Sequence, residues 1–255
     1  MKTALSQTFL GPPIAHRGLH NANERCYENS RTAVLGAMKA GYCIEIDLQL
    51  SCDGHAMVFH DYILDRMTSQ SGPIKQLPAK KLEQIFLADS SDTIMQLSTL
   101  LKLVSGRTPL LLELKVEGQY LVSTTGTLEK AVALALEGYE GPVAVMSFNP
   151  ASVKTMAICA PDITRGLTTE AFKAGECSEV KGQKLQNLRS IEDYDAIQAS
   201  FISHDFEDLA SHCLDGIKAS GDPILCWTVK TREDEKTARK TADNITFENY
   251  LPDLP

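Results

Sequence analysis

Short, almost continuous apolar runs recur along the chain, with amphipathic helical stretches between them. The runs, which give eight or nine candidate strands, read PIAHRG, CIEIDLQLS, MVFHD, PLLLELKV, VAVMSF, ITRGLTT, SFISHDF, PILCWTV and NITFEN. Strands that are apolar on both faces are typical of a parallel sheet covered by helices. No G-x-G-x-x-G follows the first run, no P-loop sequence occurs, and no linker divides the 255 residues. The pattern therefore predicts an α/β fold, a single-domain (β/α)8 TIM barrel over residues 1–255.

Several helices can be placed from capping and spacing signals. A helix is expected from Ser30 to Ala40, where Ser30 supplies the N-cap and Gly41 the end signal. A second helix is expected from Pro78 to Leu87, because its apolar residues recur at helical spacing. This spacing places Leu82, Ile85 and Phe86 on one face of the helix. Asn149-Pro150 is expected to open a third helix.

The charge of the chain limits its partners. A formal net charge of −8 gives no general attraction to nucleic acid or to an anionic membrane surface. No run of residues has the length and apolarity of a membrane-spanning segment or of a signal peptide. We therefore expect a small-molecule partner, and an anionic substrate would need a locally cationic pocket. The sequence leaves the oligomeric state open, a homo-oligomer included.

The cysteines indicate the redox environment. The chain has 7 cysteines, an odd number, and no C-x-x-C pair. This pattern favours buried free thiols over disulfides or structural zinc. The expected location is the reducing cytoplasm.

The first run ends abruptly in His16, Arg17 and Gly18. In a parallel barrel the carboxyl ends of the strands form the active-site face, so this polar cluster is placed for catalysis. A strand that simply ends in solvated surface residues is the alternative.

Two acidic residues share one face of the second run. Glu45 and Asp47 alternate with aliphatic residues, so both carboxylates point into the predicted barrel. Two buried like charges repel unless a proton or a cation neutralises them. Carboxylate oxygens are the ligands that Mg²⁺ and Ca²⁺ prefer, so the pair predicts a divalent metal site.

The run PLLLELKV has the same design. Glu113 and Lys115 share one face of a strand that is otherwise aliphatic. Glu113 would complete a three-carboxylate metal site with Glu45 and Asp47. A buried Glu113–Lys115 salt bridge is the alternative.

The run MVFHD ends in a second histidine, His60, which is expected on the same rim as His16. Two histidines across a phosphodiester can divide the proton transfers between attacking and leaving oxygens. Arg17 and Lys115 would then offset the charge on the non-bridging oxygens, which supplies the cationic pocket that an acidic chain needs. Trp227, the single tryptophan, lies near the end of a late strand, where it either forms an apolar wall over the substrate or packs in the core.

In this order, the motifs resemble the glycerophosphodiester phosphodiesterase family. The matching stretches are AHRG (15–18), YENS (27–30), EIDLQLSCDG (45–54), VFHD (58–61), LDR (64–66), LELK (112–115) and CWTV (226–229). The match is dense up to Lys115 and thinner afterwards.

The resemblance implies a TIM barrel that hydrolyses glycerophosphodiesters to sn-glycerol 3-phosphate and an alcohol, within glycerol and lipid metabolism. It implies that His16 and His60 are the acid–base pair, and that Glu45, Asp47 and Glu113 bind Mg²⁺ or Ca²⁺. It also implies that Arg17 and Lys115 contact the phosphate. In the family a glycerol hydroxyl is thought to attack phosphorus, which gives a cyclic phosphate that water then opens.

The chain departs from the family pattern in places. Tyr27 stands where proline is usual, and Lys230 stands where asparagine is frequent. The last strand, NITFEN, lacks the usual Ile-x-Thr-Asp pattern. These positions leave the preferred alcohol open, and with it the roles of Glu28, His204 and Lys230.

Three other functions are compatible with parts of the pattern. One is a related barrel phosphodiesterase that acts on lysophospholipids or phosphoinositides, which would need an exposed apolar rim. Another is an inert phospho-ligand-binding barrel, although the presence of both histidines and all three acids disfavours it. A metal-dependent aldolase or isomerase would give the two histidines no common task.

Overall fold

The computed structural model describes residues 2–115, 124–173 and 181–255. The strands are β1 (Ile14–Ala15), β2 (Cys43–Leu50), β3 (Ala56–Val58), β4 (Met95–Gln96), β5 (Leu110–Leu114), β6 (Val143–Ser147), β7 (Thr164–Thr169), β8 (Phe201–Asp205), β9 (Ile224–Val229) and β10 (Asn244–Phe247). The α-helices are α1 (Arg31–Ala40), α2 (Ala79–Leu82), α3 (Leu97–Val104), α4 (Thr127–Leu136), α5 (Pro150–Cys159), α6 (Gln183–Ser190), α7 (Asp215–Ser220) and α8 (Arg232–Ala238).

Parallel pairing closes the sheet into a barrel. The strand order is β1-β10-β9-β8-β7-β6-β5-β2, and β1 also pairs with β2, so the ring of eight parallel strands has no open edge. Ile14 aligns with Thr246 of β10 on one side and with Cys43 of β2 on the other. The prediction of a (β/α)8 barrel is confirmed.

The run MVFHD was expected to be a barrel strand, and this prediction is wrong. Its strand, β3, pairs antiparallel with β2 and leads to the short strand β4, outside the ring. The reason is the turn between β2 and β3, in which Ser51 N–H donates to His55 O and Gly54 has φ +84°. So few residues can form a hairpin but cannot hold the helix that joins parallel strands.

The predicted helices are confirmed in two of three cases. Ser30 Oγ accepts a hydrogen bond from Ala33 N–H at the start of α1, and Asn149 Oδ1 accepts one from Ala151 N–H at the start of α5. The helix expected from Pro78 to Leu87 is wrong in length, because α2 ends at Leu82. Phe86 is 56% exposed and pairs through its backbone with Thr93, so it does not belong to a buried helical face.

The amino-terminal end of the barrel is closed by apolar side chains. Leu5 and Phe9, from the segment that precedes β1, pack against residues inside the barrel such as Leu111 and Phe201. Asn244 Nδ2 donates hydrogen bonds to the backbone oxygens of this segment, at Phe9 (2.7 Å) and Pro12 (2.8 Å). This segment therefore closes the end of the barrel opposite the carboxyl ends of its strands.

The described cysteines are all free, as expected, but they are not all buried. Cys43 and Cys226 are buried, Cys26, Cys159 and Cys213 are partly exposed, and Cys52 is exposed. Cys177 lies outside the described residues. Of the helices in the described ranges, none combines the length and apolarity needed to cross a bilayer.

Candidate active site

A cavity of ≈ 490 Å³ opens at the carboxyl ends of the barrel strands. Residues from several strand ends line it, among them His16 after β1, Glu45 on β2 and Glu113 on β5. His60 also lines the cavity, although it follows a strand outside the ring. Both predicted histidines thus reach one cavity.

The turn after β1 fixes His16 and Arg17. Arg17 has φ +55° and Gly18 has φ +80°, so the chain turns through two left-handed residues. A side chain at position 18 would place its Cβ 2.9 Å from the backbone of Ala33, so only glycine fits there. Arg17 N–H donates to Glu45 Oε2 at 2.9 Å, which joins this turn to β2.

A glutamate after the last barrel strand orients His16. His16 Nδ1 donates to Glu248 Oε2 at 2.7 Å, and Lys230 Nζ lies 3.1 Å from Glu248 Oε1. The hydrogen bond with His16 lowers the pKa of Glu248 to about 2. Burial lowers the pKa of His16, and the hydrogen bond with Glu248 partly offsets this effect. His16 Nε2 is left to face the acidic residues, 4.0 Å from Glu45 Oε2.

The sequence did not identify Glu248 as a site residue. The available signal was its position directly after the apolar run NITF, which matches the position of His16 after the first run. His20 and Glu170 also line the cavity without having been predicted there. Lys230, whose role was open, lies at the mouth with a side chain that is 56% exposed.

His60 has an equivalent support from its own loop. Its Nδ1 donates to Asp61 Oδ1 at 2.6 Å. Arg66 donates to both oxygens of Asp61, through Nε at 2.6 Å and Nη2 at 2.9 Å. Burial lowers the pKa of His60, and the hydrogen bond with Asp61 acts in the opposite direction.

Three carboxylates meet beneath the histidines. One oxygen each of Glu45, Asp47 and Glu113 lies within 4.8 Å of the other two, and all three residues are buried. The pairing of β2 with β5 puts Asp47 directly beside Glu113. The predicted acidic cluster is therefore assembled by strand register.

Cations flank this cluster. Lys115 Nζ lies 3.0 Å from Asp47 Oδ1 and also contacts Glu113, so the alternative of a buried Glu113–Lys115 ion pair is present within the cluster. Arg17 Nε lies 3.2 Å from Asp47 Oδ2. Burial would raise the pKa of Asp47, but Lys115 and Arg17 hold it well below its usual range.

Glu45 decides whether the cluster fits a metal ion. Burial raises its pKa well above the usual value, and the neighbouring charges of Asp47 and Glu113 raise it further. Its Oε1 has no hydrogen-bond partner among the described residues. An all-oxygen set with one orphaned buried oxygen and more negative than positive charge suits a hard divalent cation.

Two residues of the YENS segment (27–30), Glu28 and Asn29, bond to the charged residues of the site. Glu28 Oε1 accepts hydrogen bonds from Arg17 Nη1 (2.8 Å) and Arg66 Nη2 (2.7 Å), so Glu28 holds arginines and stands outside the three-carboxylate cluster. Asn29 Nδ2 donates to Asp47 Oδ2 at 2.9 Å, and Asn29 Oδ1 accepts from Asp47 N–H at 3.1 Å. Asn29 has φ +57°, a conformation that asparagine tolerates better than most residues.

Two further residues of open role can be placed. Trp227 lines the cavity, where its Nε1 donates to Ser203 O at 3.1 Å and its ring packs edge-on against Phe148. His204 is fully buried and bonded to Thr169 and Asp208. Trp227 therefore lies beside the cavity, and its role as a wall over the substrate stays a prediction, whereas His204 belongs to a separate group.

The fold and the site define a class: a TIM-barrel enzyme in which two histidines, each bonded to a carboxylate, lie beside an acidic cluster flanked by cations. Residues 16–244 match the Glycerophosphoryl diester phosphodiesterase family, and the chain belongs to that family. The predicted family and enzyme class are confirmed.

Individual relatives agree with this assignment. A glycerophosphodiester phosphodiesterase of Caldanaerobacter subterraneus subsp. tengcongensis is 26% identical over 244 residues, covering 91% of each chain. The structure of an Oleispira antarctica phosphodiesterase in complex with the product sn-glycerol-3-phosphate has a TM-score of 0.76 at 24% identity, covering 94% of each chain. A glycerophosphodiester phosphodiesterase of Agrobacterium tumefaciens has a TM-score of 0.69 at 20% identity, covering 93% of this chain and 96% of that one. The two structures support the fold.

Proposed function

We propose that this protein hydrolyses small glycerophosphodiesters to sn-glycerol 3-phosphate and an alcohol, with His16 and His60 as the acid–base pair. The observation that carries the proposal is that both imidazoles line one cavity, each with Nδ1 bonded to a carboxylate. This arrangement keeps a proton on Nδ1 and leaves each Nε2 to exchange protons with substrate. One Nε2 then removes a proton from the attacking hydroxyl, and the other protonates the leaving oxygen.

Arg17 and Lys115 hold the phosphate in this proposal. Lys115 is 8% exposed and lines the cavity, and Arg17 lines it beside the acidic cluster. Their positive charges would offset the charge that builds on the non-bridging oxygens. The half-buried ring of Trp227 covers the glycerol or alcohol group as an apolar wall.

Glu45, Asp47 and Glu113 are the residues that would hold a divalent ion, Mg²⁺ or Ca²⁺. When bound, the ion supplies positive charge next to the phosphate oxygens. The experiment is to remove metal with a chelator and to add back each ion alone. Activity should disappear on chelation and return when Mg²⁺ or Ca²⁺ is added. Turnover that survives complete chelation would exclude metal dependence.

The histidines are tested by His16→Ala and His60→Ala. Each should lower kcat for release of sn-glycerol 3-phosphate from glycerophosphocholine by about 10²–10⁴-fold, the range typical of a positioned acid or base. His55→Ala is the matched control, since His55 is exposed in the β2–β3 turn. Near-normal turnover in either of the first two variants would refute the acid–base pair.

The glycerol 2-hydroxyl is the proposed nucleophile, which makes a cyclic glycerol phosphate the first product. A substrate analogue without that hydroxyl should bind but remain intact. Phosphorus NMR of a single turnover should also detect the cyclic phosphate. Hydrolysis of the analogue at the normal rate would show that water attacks phosphorus directly.

A further inference from the structure

A second group of potential metal ligands lies on the outer face of β8 and in the loop that follows it. His204 is on β8, Asp208 is in the 3-10 turn 206–208, and Cys213 is in the 3-10 helix 212–214. One ligand atom of each lies within 4.8 Å of the other two. His204 belongs to the barrel, and Asp208 and Cys213 belong to the loop that follows β8, so a bound ion would tie this loop to the barrel.

His204 faces away from the active-site cavity. Phe201 packs inside the barrel, whereas Ile202 packs in the layer between the barrel and the helices. Side chains alternate along a strand, so His204 shares the outer face with Ile202. The group is therefore distinct from the cluster of Glu45, Asp47 and Glu113.

The hydrogen bonds of His204 prepare it to act as a ligand. Its Nδ1 lies 2.6 Å from Thr169 Oγ1, and its Nε2 lies 3.1 Å from Asp208 Oδ2. When His204 Nδ1–H donates to Thr169 Oγ1, Nε2 carries no proton and can bind a metal ion in place of its hydrogen bond with Asp208. A hydrogen-bonded second nitrogen of this kind is usual for metal-bound histidines, because it fixes the ring and its tautomer.

We propose that His204, Asp208 and Cys213 bind a borderline transition metal, best represented by Zn²⁺. Tetrahedral zinc with bond lengths of about 2.0–2.3 Å sets its ligand atoms about 3.3–3.7 Å apart, so a small side-chain movement would close this group around an ion. A thiol and an imidazole favour zinc over Mg²⁺ or Ca²⁺, which the all-oxygen cluster in the active site suits. Cys213 gives its proton to solvent on binding, and water fills the fourth position.

Cobalt is the probe that separates the two sites. Co²⁺ bound to a thiolate gives a sulfur-to-metal charge-transfer band in the near ultraviolet, and the three-carboxylate cluster has no sulfur. The full-length protein titrated with Co²⁺ should show this band, and added Zn²⁺ should remove it. No band in the wild-type protein would overturn the proposal.

Variants assign the band to the proposed ligands. Cys213→Ser should lose it, and Cys159→Ser should keep it, since Cys159 is another partly exposed free cysteine but lies on α5. Thr169→Val keeps all three ligands and should weaken Zn²⁺ binding by about 10–100-fold, an effect that mere packing of the cluster would not produce. A band that persists in Cys213→Ser, or Zn²⁺ affinity unchanged in Thr169→Val, would contradict the site. Far-ultraviolet circular dichroism verifies that each variant is folded.

Discussion

The two sides of the active site reach the same local chemistry from different backbones. On one side His16 follows a barrel strand, and its carboxylate Glu248 lies 232 positions away in the chain. On the other side His60 follows a hairpin strand outside the ring, and its carboxylate Asp61 is the next residue. Each carboxylate also pairs with a cation, Lys230 for Glu248 and Arg66 for Asp61. Two different kinds of backbone thus build the same arrangement of imidazole, carboxylate and cation.

The two sides differ in how firmly they are held. The side chain of His16 is 16% exposed and that of His60 is 30% exposed. His16 N–H bonds to Phe247 O within the ring, whereas His60 is fixed through Gln49 Nε2, which donates to its backbone oxygen at 2.8 Å. The His16 side therefore depends on barrel closure, and the His60 side depends on the packing of the hairpin and its loop.

Among the variants that compare the supports of the two histidines, those of the carboxylates should have the largest effect. Glu248→Gln and Asp61→Asn keep the shape of each side chain but remove its charge, so each should lower kcat by about 100-fold or more with little change in KM. Each carboxylate raises the pKa of its histidine against the effect of burial. In each variant, the limb of the kcat/KM pH profile that reports the affected histidine should therefore move to lower pH. Steady-state kinetics across pH measures both effects.

The control for these variants is Glu233→Gln, a glutamate on α8 whose side chain is 84% exposed. It should leave kcat and the pH profile at their wild-type values. If Glu248→Gln lowers kcat without moving either limb, Glu248 does not act through His16.

Replacing the two cations, Arg66 and Lys230, should lower kcat by different amounts on the two sides. Arg66→Met removes the hydrogen bonds of Arg66 to Asp61 and Glu28, so Asp61 would orient His60 less well. A loss of about 1.5 kcal/mol in transition-state stabilisation would lower kcat by about tenfold. Lys230→Met removes a partner that is 56% exposed, and surface ion pairs contribute about 0–1 kcal/mol, so kcat should fall by less than about fivefold. Equal losses in the two variants would show that both sides depend on their cations to the same extent.

Packing variants should have the smallest effect on kcat. Leu64 lies in the apolar cluster under the His60 loop, and Phe9 lies in the cluster that closes the barrel floor. Leu64→Ala should cost about 2–5 kcal/mol and Phe9→Ala about 3–5 kcal/mol in the free energy of unfolding, measured with urea. At a temperature where both variants are folded, kcat should fall modestly in Leu64→Ala and stay at the wild-type value in Phe9→Ala.

The matched control here is Leu134→Ala, since Leu134 is 67% exposed on α4. Its free energy of unfolding should change by no more than about 0.5 kcal/mol. A fall in kcat for Phe9→Ala equal to that for Leu64→Ala would mean that the floor and the His60 loop are mechanically coupled.

Local patterns predicted much of this molecule. Alternation along β2 and β5 was enough to put Glu45, Asp47 and Glu113 on the inner face, because strand geometry fixes the direction of side chains. The barrel followed from apolar runs and from the length of the chain. The roles of these residues remain predictions, although the eight side chains named from the sequence all lie in or beside one cavity.

The errors arose where short runs are ambiguous or where the partner is distant. The run MVFHD fits either a barrel strand or a hairpin strand, and the Asp53-Gly54 turn signal decided it. Phe86 has helical spacing from Leu82, but backbone pairing with Thr93 replaced the helix. Glu248 can be assigned to His16 only once closure of the barrel puts β10 beside β1.

The floor of the barrel also sets an order of events during synthesis. Asn244, which holds the backbone of Phe9 and Pro12, lies 235 and 232 positions after them. At about 5–20 residues per second, ribosomes take roughly 10–50 s to make the intervening chain. For that time Leu5 and Phe9 have no closed barrel to enter. The segment that closes the floor of the barrel is therefore made early but reaches its final contacts late.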